Sequence, residues 1–175
     1  KEVYQLVLET TPFYAEGGGQ VGDTGYLIIG DQKIHILDTQ RENDLIINYV
    51  DQLPADPSQP VHALVNESRR RDIERNHSAT HLLHAALREI LGTHVHQKGS
   101  LVSDSHLRFD FSHFEKISDA DLKRIENRVN EKIRANIERG EERKMPIEQA
   151  KEMGAMMLFG EKYGEEVRVI SFDPE

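Results

Sequence analysis

The chain has 175 residues, 37% of them hydrophobic and 30% charged, with no cysteine. This suits a globular protein of one domain or two small ones and excludes a disulfide framework. No apolar run approaches the ~18–20 residues of a membrane span, no basic leader precedes an apolar stretch, and a net charge of −9 argues against broad duplex binding.

Residues 1–66 read as a β-rich subdomain. Val3 to Leu8, Tyr26 to Ile29, Lys33 to Leu37, Leu45 to Val50 and Val61 to Val65 are β-branched or aromatic runs separated by Gly, Asp and Pro. Gly30-Asp31 and the Leu53 to Pro60 segment carry turn and loop signals. Several strands with no helical period predict a small barrel-like or curled sheet. Between the first two strands, Glu16-Gly17-Gly18-Gly19-Gln20 and Val21-Gly22-Asp23-Thr24-Gly25 hold five glycines in nine residues. That density lets backbone approach another surface closely. The loop could meet a backbone or a phosphate, or could simply supply tight turns, and it lacks the Lys-Ser/Thr of a P-loop.

From Glu67 the pattern turns helical. Ala79, Leu82, Leu83, Ala86, Leu87 and Ile90 form one apolar stripe, and Gly92 offers a stop. His77 and His81 are four residues apart, so their Cβ atoms stand roughly 5–6 Å from each other on one helical face. Two imidazoles so placed suit a divalent metal at about 2.0–2.1 Å. On a helical wheel His77, His81 and His84 fall opposite the apolar stripe. Ser78 stands where a zinc protease would carry its glutamate base, so that reading is excluded. Zinc takes three or four protein ligands, and His84, His94, His96 and His106 are the nearby imidazoles. A surface helix that happens to carry histidines is the alternative.

The charge distribution adds to this. Residues 68–108 hold seven basic side chains (Arg69, Arg70, Arg71, Arg75, Arg88, Lys98, Arg108) against four acidic ones, whereas residues 1–67 hold three basic and eleven acidic. A local basic segment beside a candidate metal site suits a phosphate-bearing substrate engaged at one end.

Beyond Gly92, strands are expected at Thr93 to His96, Gly99 to Val102 and His106 to Phe111, the last with alternating Leu107, Phe109 and Phe111. His96-Gln97-Lys98-Gly99-Ser100 is polar where a strand should be half apolar; Gln97 could orient a water, or the strand could be an exposed edge. Ser118 is a plausible N-cap with Asp121 three residues on, and Gly140 is the expected end of that helix. Leu122, Ile125, Val129, Ile133 and Ile137 form its narrow apolar stripe. Pro146 opens a short helix through Glu152. A glycine-punctuated turn with Met156, Met157 and Phe159 follows, then a strand from Val167 to Phe172. Residues 67–175 thus predict an α+β core, an antiparallel sheet packed with helices.

These stretches resemble the alanyl-tRNA synthetases and their stand-alone trans-editing relatives. Thr11-Pro12-Phe13-Tyr14-Ala15-Glu16-Gly17-Gly18-Gly19-Gln20 looks like their glycine motif. The run from Asn76 to Val102, Leu107-Arg108-Phe109-Asp110-Phe111-Ser112-His113, and Ala155 to Val169 with Gly160-Glu161-Lys162-Tyr163-Gly164 look like their editing domain. The resemblance is greatest to the bacterial synthetases, and a chain opening on Lys1 reads as a piece of a longer or processed protein.

The resemblance implies an aminoacyl-tRNA deacylase that hydrolyses mischarged Ser-tRNA(Ala) and Gly-tRNA(Ala), within a cytoplasmic parent that ligates alanine to tRNA(Ala) using ATP. No residue of this chain is expected to serve ATP. Editing is needed because a pocket cannot strongly reject an amino acid that is smaller or merely adds a hydroxyl. His77 and His81 match the first of two motifs that hold one zinc. The second, a Cys-x-x-x-His pair, lies in the family beyond the last strand, so zinc in this stretch is expected to be weak or absent. The resemblance also places Thr80, Gln97 and Ser100 in the pocket. Thr80 would contact the serine hydroxyl, and Gln97 would orient water or the ester in zinc-assisted hydrolysis. Arg69, Arg70, Arg71, Arg75 and Lys98 are the candidates for tRNA phosphate contact, and the remaining domains of the parent are expected partners. Three alternatives remain: a stand-alone trans-editing protein, an editing module of the related threonyl-tRNA synthetase type, and a non-catalytic tRNA-docking or structural zinc module.

Overall fold

The structure, a computed structural model, describes residues 2–155 and 163–172. It is mixed α+β, in two compact units. The first comprises residues 1–80 and 100–108, the second 81–99 and 109–175.

In the first unit, β1 (Tyr4–Val7), β2 (Gly25–Ile29), β3 (Gln32–Glu42), β4 (Leu45–Val50) and β5 (His62–Val65) form a five-stranded sheet in the order β1-β4-β3-β2-β5. Every pairing in it is antiparallel. β1 and β5 remain as edges, so among the described residues there is an open sheet and no closed barrel. Gly30-Asp31 turns β2 into β3, with Ile29 opposite Gln32. Asn43 and Asp44 turn β3 into β4, both at positive φ as a type I′ hairpin requires. Phe13, Leu27, Ile29, Ile34, Ile36 and Val50 make the core.

β3 runs five residues past the expected Leu37. A register shift between Ile36 and Asp38 resets the in–out alternation, leaving Leu37 exposed and burying Thr39. Thr39 is tolerated there because its hydroxyl donates to the Asp23 carbonyl at 2.9 Å.

A 25-residue helix, α1 (Glu67–Leu91), contributes to both units, and the division falls between Thr80 and His81. β6 (Gln97–Val102) and β7 (Leu107–Phe111), which pair with each other, are likewise divided, at 99/100 and 108/109. The expected strand at Thr93 to His96 is absent. Gly92 at φ 116 turns the chain after α1, and Ser112 ties residues 94 and 96 down through its hydroxyl.

The core of the second unit is Ala86, Leu87, Val95 and Ile125, flanked by Leu83, Ile90, Phe109, Phe111 and Val129. Four of the six residues of the predicted helical stripe, Leu83, Ala86, Leu87 and Ile90, thus pack in this core. α2 (Asp119–Ala135) begins at Ser118, whose hydroxyl accepts from the Asp121 amide. It stops at Asn136, in the left-handed region at φ 47, and not at Gly140. Gly140 lies instead in β8 (Arg139–Pro146), paired with Ser171 on the antiparallel β9 (Glu166–Phe172). β8 has no apolar alternation for a sequence reading to detect; its eight residues are Arg-Gly-Glu-Glu-Arg-Lys-Met-Pro, with Met145 alone buried. α3 (Ile147–Glu152) starts after Pro146, as its ring predicts. Met156, Met157 and Phe159 lie outside the described residues. No helix among those described is long and apolar enough to cross a membrane.

Candidate functional site

The first half of α1 carries a row of polar side chains, each engaged within the first unit. Arg70 forms an ion pair with the buried Asp23 and also donates to the Pro12 carbonyl at 2.8 Å. Arg69 donates to the Gly22 carbonyl at 2.8 Å and lies 3.3 Å from the Asp104 carboxylate. One turn further on, the Asn76 amide donates to the Ser103 carbonyl at 2.8 Å and to that of Asp104 at 3.2 Å. His77 follows, with Nδ1 2.7 Å from Gln20 Oε1.

Gln20 closes the glycine loop, which lies against β6. Val102 N–H donates to the Gly19 carbonyl at 2.7 Å, and Val21 N–H to the Val102 carbonyl at 3.1 Å. Gly17 and Gln20 bond each other's main chain at 3.1 and 3.0 Å. Gly19 is at φ 84, and a Cβ there would collide with Ser100, lying 2.6 Å from its carbonyl oxygen. The loop shows features of both readings, a tight turn at Gly18-Gly19 and close approach to the backbone of β6. The amides of Gly17, Gln20 and Val21 are used in these main-chain bonds.

Among the other candidates in this unit, Thr80 is 6% exposed and its hydroxyl donates to the Asn76 carbonyl one turn back at 2.8 Å. Its oxygen is thereby left with acceptor capacity only. Ser100 Oγ lies 3.4 Å from the Gly18 carbonyl. Arg71 and Arg75 are exposed, Arg75 pairing with Asp72 in the preceding turn.

In the second unit, His81 and Gln97 are partly buried and Lys98 is exposed. Gln97 opens β6, and Gly99 sits so close to Asp110 that a Cβ would lie 3.0 Å from its carboxylate. His84 departs from the helical-wheel expectation: it does not face a polar surface. It is 9% exposed, with its ring 5.0 Å from that of Phe109. Burial lowers its pKa from the usual imidazole value, partly offset by a hydrogen bond with the Val95 backbone. Its Nε2 has no hydrogen-bond partner. His94 and His113, 2.9 Å apart, form a stacked pair that sequence reasoning did not single out.

His77 and His81 are one turn apart on one helix, and they supply two imidazole donors. Among the described residues no group of three or more His, Asp, Glu or Cys side chains is placed to hold a metal. The donor chemistry nonetheless fits zinc at His77. An amide oxygen can only accept, so Nδ1 carries the proton and the lone pair belongs to Nε2, the arrangement typical of a ligating histidine with an outer hydrogen-bond partner.

Residues 1–69 match the family model of the class II (A) tRNA synthetases. The chain is 63% identical over 173 residues to an alanine–tRNA ligase of Cytophaga hutchinsonii, which covers 99% of the chain and 20% of that protein. It is 59% identical over 172 residues to an alanine–tRNA ligase of Parabacteroides distasonis, covering 98% of the chain and 20% of the relative. Against the enzyme of that name from Salinibacter ruber it is 54% identical over 172 residues, 98% and 18% of the two chains. The chain thus spans about a fifth of the length of these relatives, and its similarity to them runs nearly from end to end.

Proposed function

We propose that this chain is the editing region of an alanine–tRNA ligase, a deacylase for Ser-tRNA(Ala) and Gly-tRNA(Ala). Its 1–66 segment would be the glycine-motif subdomain and 67–175 the editing core, within a cytoplasmic parent that charges tRNA(Ala) using ATP. Similarity to alanine–tRNA ligases over 99% of the chain supports the parent. The observation that carries the site is the hydrogen bond between His77 Nδ1 and Gln20 Oε1, which leaves His77 the tautomer of a metal ligand.

In this reading His77 and His81 hold zinc together with ligands from elsewhere in the parent. When bound, the metal supplies Lewis acidity or anchors the substrate. Thr80, whose hydroxyl proton is committed to Asn76, presents an acceptor to the O–H of a serine substrate. Gln97 orients water or the ester, and Ser100 lines the pocket. Arg71, Arg75 and Lys98 are exposed and suited to tRNA phosphates; Arg69 and Arg70 bind the Gly22 carbonyl and Asp23. The partners are the acceptor end of tRNA(Ala) and the rest of the parent.

The test is release of serine from Ser-tRNA(Ala) by the parent protein. His77→Ala and Gln97→Ala should each slow it by at least about 10-fold, the lower end expected for loss of a ligand or a positioning contact. Wild-type rates in both would sink the assignment. Tight tRNA binding without any turnover in the unmutated parent would favour a docking module.

A further inference from the structure

We propose that Gln20 is a positioning residue: through Oε1 it holds His77 in the tautomer with Nδ1 protonated and the lone pair on Nε2. The proposal rests on the reading of His77 as a metal ligand and gives the glycine loop its task. Gln20 and His77 are 57 residues apart in sequence, and their side chains meet at 2.7 Å. The contact is held on both sides. His77 is fixed by α1, whose preceding residue Asn76 is bonded to two carbonyls of the 103–104 loop. Gln20 is fixed by main-chain bonds to Gly17 and by the bridge that pairs its backbone with Val102 of β6.

The three successive glycines follow from this. Gly18 and Gly19 at φ 58 and 84 make the turn, and Gly19 has no room for a Cβ against Ser100. The loop can therefore lie flat on β6 and aim the next side chain at α1. An imidazole without an acceptor at Nδ1 favours protonation at Nε2, which blocks the nitrogen that a metal would use. An amide oxygen at Nδ1 favours the opposite tautomer.

The experiment reads the tautomer of His77 in this 175-residue chain, metal-free, by long-range proton–nitrogen correlation at about pH 8.5, where imidazole is neutral. The wild-type chain should show a protonated Nδ1 and an unprotonated Nε2. Gln20→Leu should shift His77 toward the Nε2-protonated form, and Gln20→Glu, which keeps an acceptor, should restore the wild-type pattern. In the parent protein, Gln20→Leu should weaken cobalt(II) binding by about 10–100-fold, with Gln20→Glu close to wild type. An Nε2-protonated His77 in the wild-type chain would overturn the proposal without any variant having to fold, as would an unchanged tautomer in Gln20→Leu. Loss of the tautomer in Gln20→Leu with cobalt binding unaffected by His77→Ala would separate the two ideas. Gln20 would still fix the ring, but His77 would not be a ligand and the positioning role would fail with it.

Discussion

Arg70 reaches across 47 residues of sequence to pair with Asp23, whose side chain is 2% exposed and also accepts the Tyr14 amide at 2.7 Å. The pair ties the first turns of α1 to the segment following the glycine loop. Arg70 also binds the Pro12 carbonyl, so one guanidinium secures both ends of the 12–23 stretch. Removing the cation would leave a buried carboxylate with a single amide donor. Arg70→Met is expected to destabilise the chain by about 3 kcal/mol. A urea unfolding midpoint within experimental error of wild type would refute that role.

Gly19→Ala should be among the most harmful small substitutions in the chain. It forces a non-glycine residue into φ 84 and drives a methyl into Ser100. Backbone strain alone is worth about 1–3 kcal/mol, and the steric clash adds to it. Gly154→Ala is the informative comparison: φ there is 75 but nothing lies within 4 Å of the added atom. Thermal melts should show Gly19→Ala well below Gly154→Ala, and equal shifts would mean that contact with Ser100 is not close in solution.

His84 makes stability pH-dependent with a definite sign. Burial lowers its folded-state pKa below the unfolded value of about 6.5. The unfolded chain therefore takes up the proton first, and stability falls as pH drops through the window beginning near 6.5 and extending to the depressed folded value. Above that window the full contribution of the neutral ring is present. Urea midpoints measured from about pH 7.5 down to 5.5 should decline, and His84→Leu should flatten the decline. A slope unchanged by His84→Leu would assign it to other groups.

Ser118→Ala tests a purely local device. The hydroxyl accepts the Asp121 amide at 3.1 Å and starts α2, and losing such a cap costs about 1 kcal/mol. Ser118→Asp retains an acceptor and should recover most of the loss in a denaturant titration. If Ser118→Ala were neutral, the cap would contribute nothing to the stability of the chain.

The elements visible in the sequence are those whose signals are local. A run of β-branched and aromatic residues marks β4 at the observed limits, Leu45–Val50. Ser118 and Pro146 mark helix starts through one hydroxyl and one ring. The spacing of His77 and His81 places them one turn apart whatever surrounds them. β8 escaped because its charged residues carry no period, and the extension of β3 escaped because a bulge shifts the alternation midway.

Local pattern suffices for a helix bearing His77 and His81 and for a glycine-rich loop before it, since periodicity and backbone freedom depend on neighbouring residues alone. Long-range packing is what brings Gln20 to His77, closes Arg70 on Asp23 and encloses His84 beside Phe109. A side chain's partner depends on which distant backbone segments pack together, and no residue's type or spacing encodes that pairing locally.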